Sequence, residues 1–232
     1  MENVSIPGAR LDGVRLDFPS RFVISALPYL WDDEKNHQIC FLSPGQWSHA
    51  ITRDEFGSMI SSADIVLPTS LSLVSKARAR GEHTERSWPV PFTYQILLDA
   101  LRDAEEFSES EPWNLARDAY RPQSVLTLLL SAIEKRGGSV FLIGGTPITL
   151  LKAEKNLRAT YPGITIVGSM HGMYRREEEG ALLQAIQKGA PNLILAGDPL
   201  PEGERWIPRH MSATRSGAFL YFGSIIRWFS GR

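Results

Sequence analysis

The chain has 232 residues, 43% of them hydrophobic, with 25 Lys and Arg against 26 Asp and Glu and a formal net charge of −1. That length and apolar content suffice for one sizeable core, or for two lobes sharing one sheet. The balanced charge excludes a global basic field that would draw the protein to nucleic acid or anionic lipid, and the single cysteine, Cys40, excludes an internal disulfide framework and a cysteine-built zinc cage.

In chain order, residues 1–13, with Pro7 and Gly8, read as an N-terminal arm that is either loose or a hairpin. A single α/β domain over 14–232 follows, divisible into lobes 14–120 and 121–232. Its first half carries a strand at Gln38–Leu42, an amphipathic helix over Trp47–Ile60, a strand at Asp64–Leu67 and a helix over Leu71–Arg80. Cys40 sits in the apolar run Ile39–Leu42 and reads as core. Segment 81–92 is Pro-rich and irregular, and Ser108–Pro112 is a polar break between helices. From about residue 120 the β/α alternation is plain. Helices over Ser124–Lys135, Ile148–Thr160, Glu177–Lys188 and Glu204–Met211 alternate with strands at Val140–Ile143, Ile164–Val167, Asn192–Ala196 and Ala218–Phe222. Gly137, Gly163 and Gly189 lie where helices stop. The fold class is therefore α/β, with a Rossmann-like parallel sheet flanked by helices.

No apolar run nears the roughly 18 to 20 residues that cross a bilayer, and Met1-Glu2-Asn3-Val4 does not begin a targeting segment. A cytoplasmic protein is expected, either free or peripheral to the inner face of the membrane.

The run Val140–Ile143, Gly144, Gly145, Thr146, Pro147 sets a strand's carboxyl end against a helix amino end, where unpaired N–H groups and the helix dipole favour phosphate. Gly144, Gly145 and Thr146 are thus nucleotide-binding candidates, although a Thr cap followed by Pro also serves structure alone. His171 and Gly172 follow the next strand, where open α/β sheets place ligands. Arg209 and His210 end a short helix, facing either a phosphate or the helix dipole. Thr69, Ser70 and Ser72 stand where a strand hands over to a helix, which makes capping their default role. Asp32-Asp33-Glu34, His37, His49 and His83 form no metal-ligand pattern, and no metal or cofactor is expected. The Gly-x-Gly-x-x-Gly, P-loop and Gly-x-Ser-x-Gly signatures are all missing from the sequence. Phe219–Phe222 with Ile225, Ile226, Trp228 and Phe229 reads mostly as core, and any exposed part would mark an oligomer or partner surface.

Several segments together resemble the WecG/TagA/CpsF glycosyltransferases over roughly residues 14–231: Ala63–Pro68, the Gly144-Gly145 turn, Asn156-Leu157-Arg158 with Tyr161-Pro162-Gly163, Gly168 with His171-Gly172, and Glu204–His210. The resemblance implies transfer of an amino sugar from a UDP-sugar to a polyprenyl-diphosphate-linked acceptor during bacterial cell-envelope polysaccharide assembly. It also places the family's general base, an Asp followed by Gly, at position 69, where this chain has Thr69-Ser70, so no catalytic residue is assigned there. A hydroxyl cannot take a proton at neutral pH as a carboxylate does. The family's Arg-x-x-Gly-x-Asp falls on Arg86–Pro91, with Pro89 and Pro91 in the Gly and Asp places, and its Phe-Asp-Phe falls on Ile226, Arg227 and Trp228. Its Pro-Lys/Arg-Gln-Glu donor stretch reads Pro201-Glu202-Gly203-Glu204, so a cation becomes an anion. Its early Thr-x-Asn aligns near Ser43–Gln46 without the Asn, and Arg232 stands where the family's basic, aromatic membrane appendage would begin, which puts membrane association in doubt.

Three functions remain open on this reading. The first is a catalytically degenerate scaffold, a pseudoenzyme that acts as a binding or assembly protein, with a protein partner or as a homo-oligomer. The second is an active transferase with a rebuilt site, using Glu202, Glu204 or Asp198 as its carboxylate. The third is a nucleotide-sugar sensor that binds UDP or a UDP-sugar through Gly144, Gly145, Thr146, His171, Gly172, Glu204 and Arg209. Nucleic acid is not expected as a partner.

Overall fold

The computed structural model describes residues 3–52, 54–95, 120–214 and 216–231. The polar break expected at Ser108–Pro112 lies outside the described residues. The chain separates into two compact units, Met1–Asp32 with Cys40–Leu129, and Asp33–Ile39 with Leu130–Arg232.

In the first unit the opening residues form a hairpin. Strands β1 (Asn3–Leu11) and β2 (Val14–Asp17) pair antiparallel around Asp12 and Gly13, both at positive φ. Helix α1 (Arg21–Leu30) follows, capped by Ser20, whose hydroxyl accepts from the Val23 N–H. The amphipathic stretch read as one helix over Trp47–Ile60 is two, α2 (Pro44–Ile51) and α3 (Glu55–Ser62). The break has a local cause, because the Asp54 carboxylate caps a new helix by accepting from the Gly57 N–H at 2.9 Å. Strand β4 (Ile65–Pro68) is buried throughout and leads into α4 (Leu71–Arg80).

Segment 81–92, expected to be irregular, contains strand β5 (Glu82–Pro89), which pairs antiparallel with β1 from Asn3↔Pro89 to Arg10↔Glu82. Thr84, Arg86 and Trp88 are half-buried while Glu85, Ser87 and Pro89 are exposed, so the period of two was present beneath the prolines. The strand lies at the edge of a sheet ordered β2-β1-β5, and Pro89 is its last residue, a place that loses no inner ladder bond. Asp17, 1% exposed, fastens β2 to β4 by accepting from the Val66 N–H at 2.8 Å and from Arg15 Nε at 3.0 Å. Burial raises the Asp17 pKa despite the opposing Arg15 charge.

Strand β3 (Asn36–Leu42) belongs to both units. Helix α5 (Pro122–Lys135) likewise has residues in both, and the second unit then runs β6 (Ser139–Ile143), α6 (Pro147–Thr160), β7 (Thr165–Met170), α7 (Glu179–Gly189), β8 (Leu193–Ala196), α8 (Trp206–His210), β9 (Gly217–Tyr221) and α9 (Ile225–Phe229). Its pairings β3–β9, β9–β8, β8–β6 and β6–β7 are all parallel, and the strand order reads β4-β3-β9-β8-β6-β7. The fold is thus α/β with a six-strand parallel sheet and flanking helices.

Phe141, Ile143, Leu182, Ile186, Ile194, Trp206, Ile207 and Phe219 build the core of this unit, each at most 2% exposed. Side chains of that size each contribute about 1.5 to 3 kcal/mol on burial. Among the helix stops, Gly137 has φ +63, but the left-handed residue ending α7 is Ala190 at φ +39 rather than Gly189. A Cβ on Gly189 would lie 3.1 Å from Val167 Cγ2, so close packing against β7 explains that glycine.

Candidate functional site

The second unit gathers four loops at the carboxyl ends of parallel strands: 144–146 after β6, 171–174 after β7, 197–203 after β8 and 222–224 after β9. Backbone hydrogen bonds sew them together. The Gly144 N–H donates to Met170 O at 2.9 Å, Gly172 N–H to Gly145 O at 2.9 Å and Asp198 N–H to Gly223 O at 2.8 Å.

Two glycines permit this interlock. Gly144, at φ +120, would place a Cβ 1.9 Å from Gly197 O, and Gly172 would place one 1.4 Å from Pro199 O. Neither approach tolerates a side chain. Gly145 is buried, and the nearest atom to a Cβ there is Ile226 Cγ2 at 2.5 Å, so Ile226 of α9 covers the turn.

The amino end of α6 is closed by its own residues. Thr146 Oγ1 accepts from the Thr149 N–H at 3.3 Å, Thr149 Oγ1 accepts from the Thr146 N–H at 2.8 Å, and Pro147 has no N–H to offer. Two of the N–H donors at this helix start, those of Thr146 and Thr149, are therefore taken by each other's hydroxyls.

His171 is half-buried, and its Nδ1 is buried with no hydrogen-bond partner among the described residues. Arg209 Nη1 lies 2.5 Å from Glu202 Oε1, so the two charges offset each other at a half-exposed position. Glu204 stands half-buried in a short turn, Gly203–Arg205. His210 belongs to the packing, with its ring stacked on Trp206 at 4.7 Å, Nδ1 2.7 Å from Trp206 O and Nε2 3.2 Å from Glu179 Oε1. The Trp206 indole N–H donates to Tyr174 Oη at 2.7 Å, and burial pushes the Tyr174 phenol up to about 12.

One pair escaped sequence reasoning. Tyr221 Oη donates to Asp198 Oδ1 at 2.6 Å, which places a phenol and a carboxylate side by side where β8 and β9 end. Burial raises the Tyr221 pKa, and the hydrogen bond to Asp198 and its charge raise it further. Tyr221 had been counted with the apolar run Phe219–Phe222, and nothing in its local pattern separates it from core.

Thr69 lies in the first unit, directly after β4. Its N–H donates to Leu42 O at 2.9 Å and its hydroxyl donates to the same carbonyl at 3.2 Å. Ser70 caps α4, accepting from the Leu73 N–H at 3.3 Å, and Ser72 lies 3.1 Å from it. All three therefore have structural roles. Arg86 donates to the Asp64 carbonyl, and its guanidinium lies 5.8 Å from the Trp88 ring centre.

The loop and short helix after β8 carry Asp198, Glu202 and Glu204 together with Arg205 and Arg209. Among the described residues no group of three or more His, Cys, Asp or Glu is arranged to hold a metal ion. No helix among them is long and apolar enough to cross a membrane.

A parallel sheet whose strand ends carry a Gly-Gly turn into a helix defines a Rossmann-like α/β protein, a class that binds its ligands at that edge. Residues 118–232 match the model of the glycosyl transferase WecG/TagA/CpsF family, so this segment carries a domain of that family.

Proposed function

We propose that this chain keeps the WecG/TagA/CpsF scaffold without its sugar-transfer chemistry, and works as a binding or assembly protein connected with cell-envelope glycan. The observation that carries the reading is the closed turn after β6. Thr146 and Thr149 satisfy each other at the head of α6, and Ile226 covers Gly145. A nucleotide diphosphate would have to displace these contacts beside a loop richer in carboxylates than cations. Thr69 adds support, since its hydroxyl is committed to Leu42 O at the position where the resemblance places a general base.

Thermal denaturation with UDP and with UDP-N-acetylhexosamines tests this. A ligand present at 100 times its dissociation constant adds about 2.7 kcal/mol of stability. The expected result is an unchanged midpoint at millimolar ligand. A clear upward shift would restore the enzyme and sensor readings together.

One observation favours the second reading, an active transferase with a rebuilt site. The Asp198 carboxylate stands at the sheet edge and accepts a hydrogen bond from the Tyr221 hydroxyl. If transfer occurs, Asp198→Asn is expected to remove it, while Glu202, tied to Arg209, is not.

A further inference from the structure

A second concavity lies at the other end of the parallel strands from the Gly144-Gly145 turn. It encloses about 760 Å³ and is walled by Gln184, Gln187 and Lys188 of α7, by Thr214 and Ser216 ahead of β9, and by Glu34 ahead of β3. All six belong to the second unit. Small-molecule sites span roughly 300 to 1,000 Å³. Strands β8 and β9, four and five residues long, separate this cleft from the carboxyl-end loops by about 13 to 17 Å.

Each wall has a local cause. Gln184, Gln187 and Lys188 stand at i, i+3 and i+4, so they share one exposed stripe of α7, while Ile186 is fully buried and lines the cleft from beneath. The facing wall is fastened to the start of β3. Asn36 Nδ2 donates to Met211 O at 2.6 Å and to Thr214 O at 2.9 Å, and the Gly217 N–H donates to Lys35 O at 3.2 Å. Thr214 itself is buried, so this side is preorganised. Glu34 at φ +59 and Ala190 at φ +39 both line the cleft, and they are two of the four non-glycine described residues with positive φ. Such backbone strain gathers where ligands are held.

The chemistry of the lining is dipolar. Glu34 and Lys188 come from different elements, and neither has an ion-pair or hydrogen-bond partner among the described residues, nor do the Gln184 and Gln187 amides or the Ser216 hydroxyl. One carboxylate and one ammonium, with amides that both donate and accept, complement a molecule carrying an ammonium and a carboxylate. A diphosphate is disfavoured, because a single lysine would have to offset Glu34 and the negative end of the α7 dipole as well. A neutral sugar would leave both charges unmatched, and no aromatic side chain among the described residues lines the cleft for its ring to stack on.

We infer that this cleft is a binding site for a small zwitterion, a free α-amino acid, with its ammonium on Glu34 and its carboxylate on Lys188. The site is separate from the closed turn after β6, and its use does not depend on whether sugar is transferred.

The backbone amide resonances of Ala190 and Ser216 in the isotope-labelled chain, titrated with the common amino acids one by one at millimolar concentration, read it directly. At least one amino acid is expected to shift both, leaving Gly145 and Gly172 unmoved. Glu34→Gln and Lys188→Gln are each expected to weaken that amino acid about tenfold, the size of one charge-assisted hydrogen bond, with the rest of the spectrum in place because both positions are exposed. The N-acetyl amide of the same amino acid carries neither charge and is expected to shift neither resonance. The proposal is overturned if no amino acid moves Ala190 and Ser216, if the shifts fall on Gly145 and Gly172 instead, if both variants bind as the parent chain does, or if the N-acetyl amide or glucose binds as well as the amino acid.

Discussion

Gly172→Ala is expected to destabilise the protein by about 3 kcal/mol or more, seen as a lower urea midpoint. The added Cβ would fall 1.4 Å from Pro199 O, a backbone atom that cannot rotate aside, so the loop after β8 must move. Asp198 and its bond to Tyr221 lie on that loop. Gly180→Ala is the matched control. It sits in α7 with nothing within 4 Å of a Cβ, and is expected to be neutral or stabilising by up to about 1 kcal/mol. Equal midpoints for the two variants would mean that the loops are not interlocked as described.

Trp206→Ala is expected to cost about 3 to 5 kcal/mol, measured by circular dichroism in urea. The indole is fully buried, stacks on His210 and donates to Tyr174. Trp206→Phe keeps most of the apolar volume and loses the hydrogen bond, so it should cost about 1 to 2 kcal/mol. A Trp206→Ala variant as stable as Trp206→Phe would place the stabilisation in the Tyr174 bond rather than in packing.

Much of the second unit was legible because its signals are local. Val140–Ile143 is a continuous apolar run ending in two glycines, and Thr146-Pro147 is a helix start, so strand, turn and helix could be read in order. The Thr146-x-x-Thr149 spacing also announces the reciprocal cap at the head of α6. Strand β5 was obscured by Pro89 and Pro91, which signal loop more loudly than the alternation of Thr84, Arg86 and Trp88 signals strand. Ala190 took the left-handed cap because the preceding glycine was needed for packing on Val167. The pairs Asp198–Tyr221, Thr69–Leu42 and Gly145–Ile226 were illegible for another reason. Each joins residues brought together by sheet order rather than by spacing along the chain.

The proposed loss of sugar transfer rests on two local arrangements, the Thr69 hydroxyl bonded to Leu42 O and the reciprocal Thr146–Thr149 cap at the head of α6. Release of UDP from a UDP-N-acetylhexosamine by the purified chain, with a lipid-diphosphate-linked acceptor present, tests that most directly. No release above the protein-free rate is predicted. Sustained turnover that disappears in Asp198→Asn would contradict it and identify the carboxylate beside Tyr221 as the group that restored the reaction.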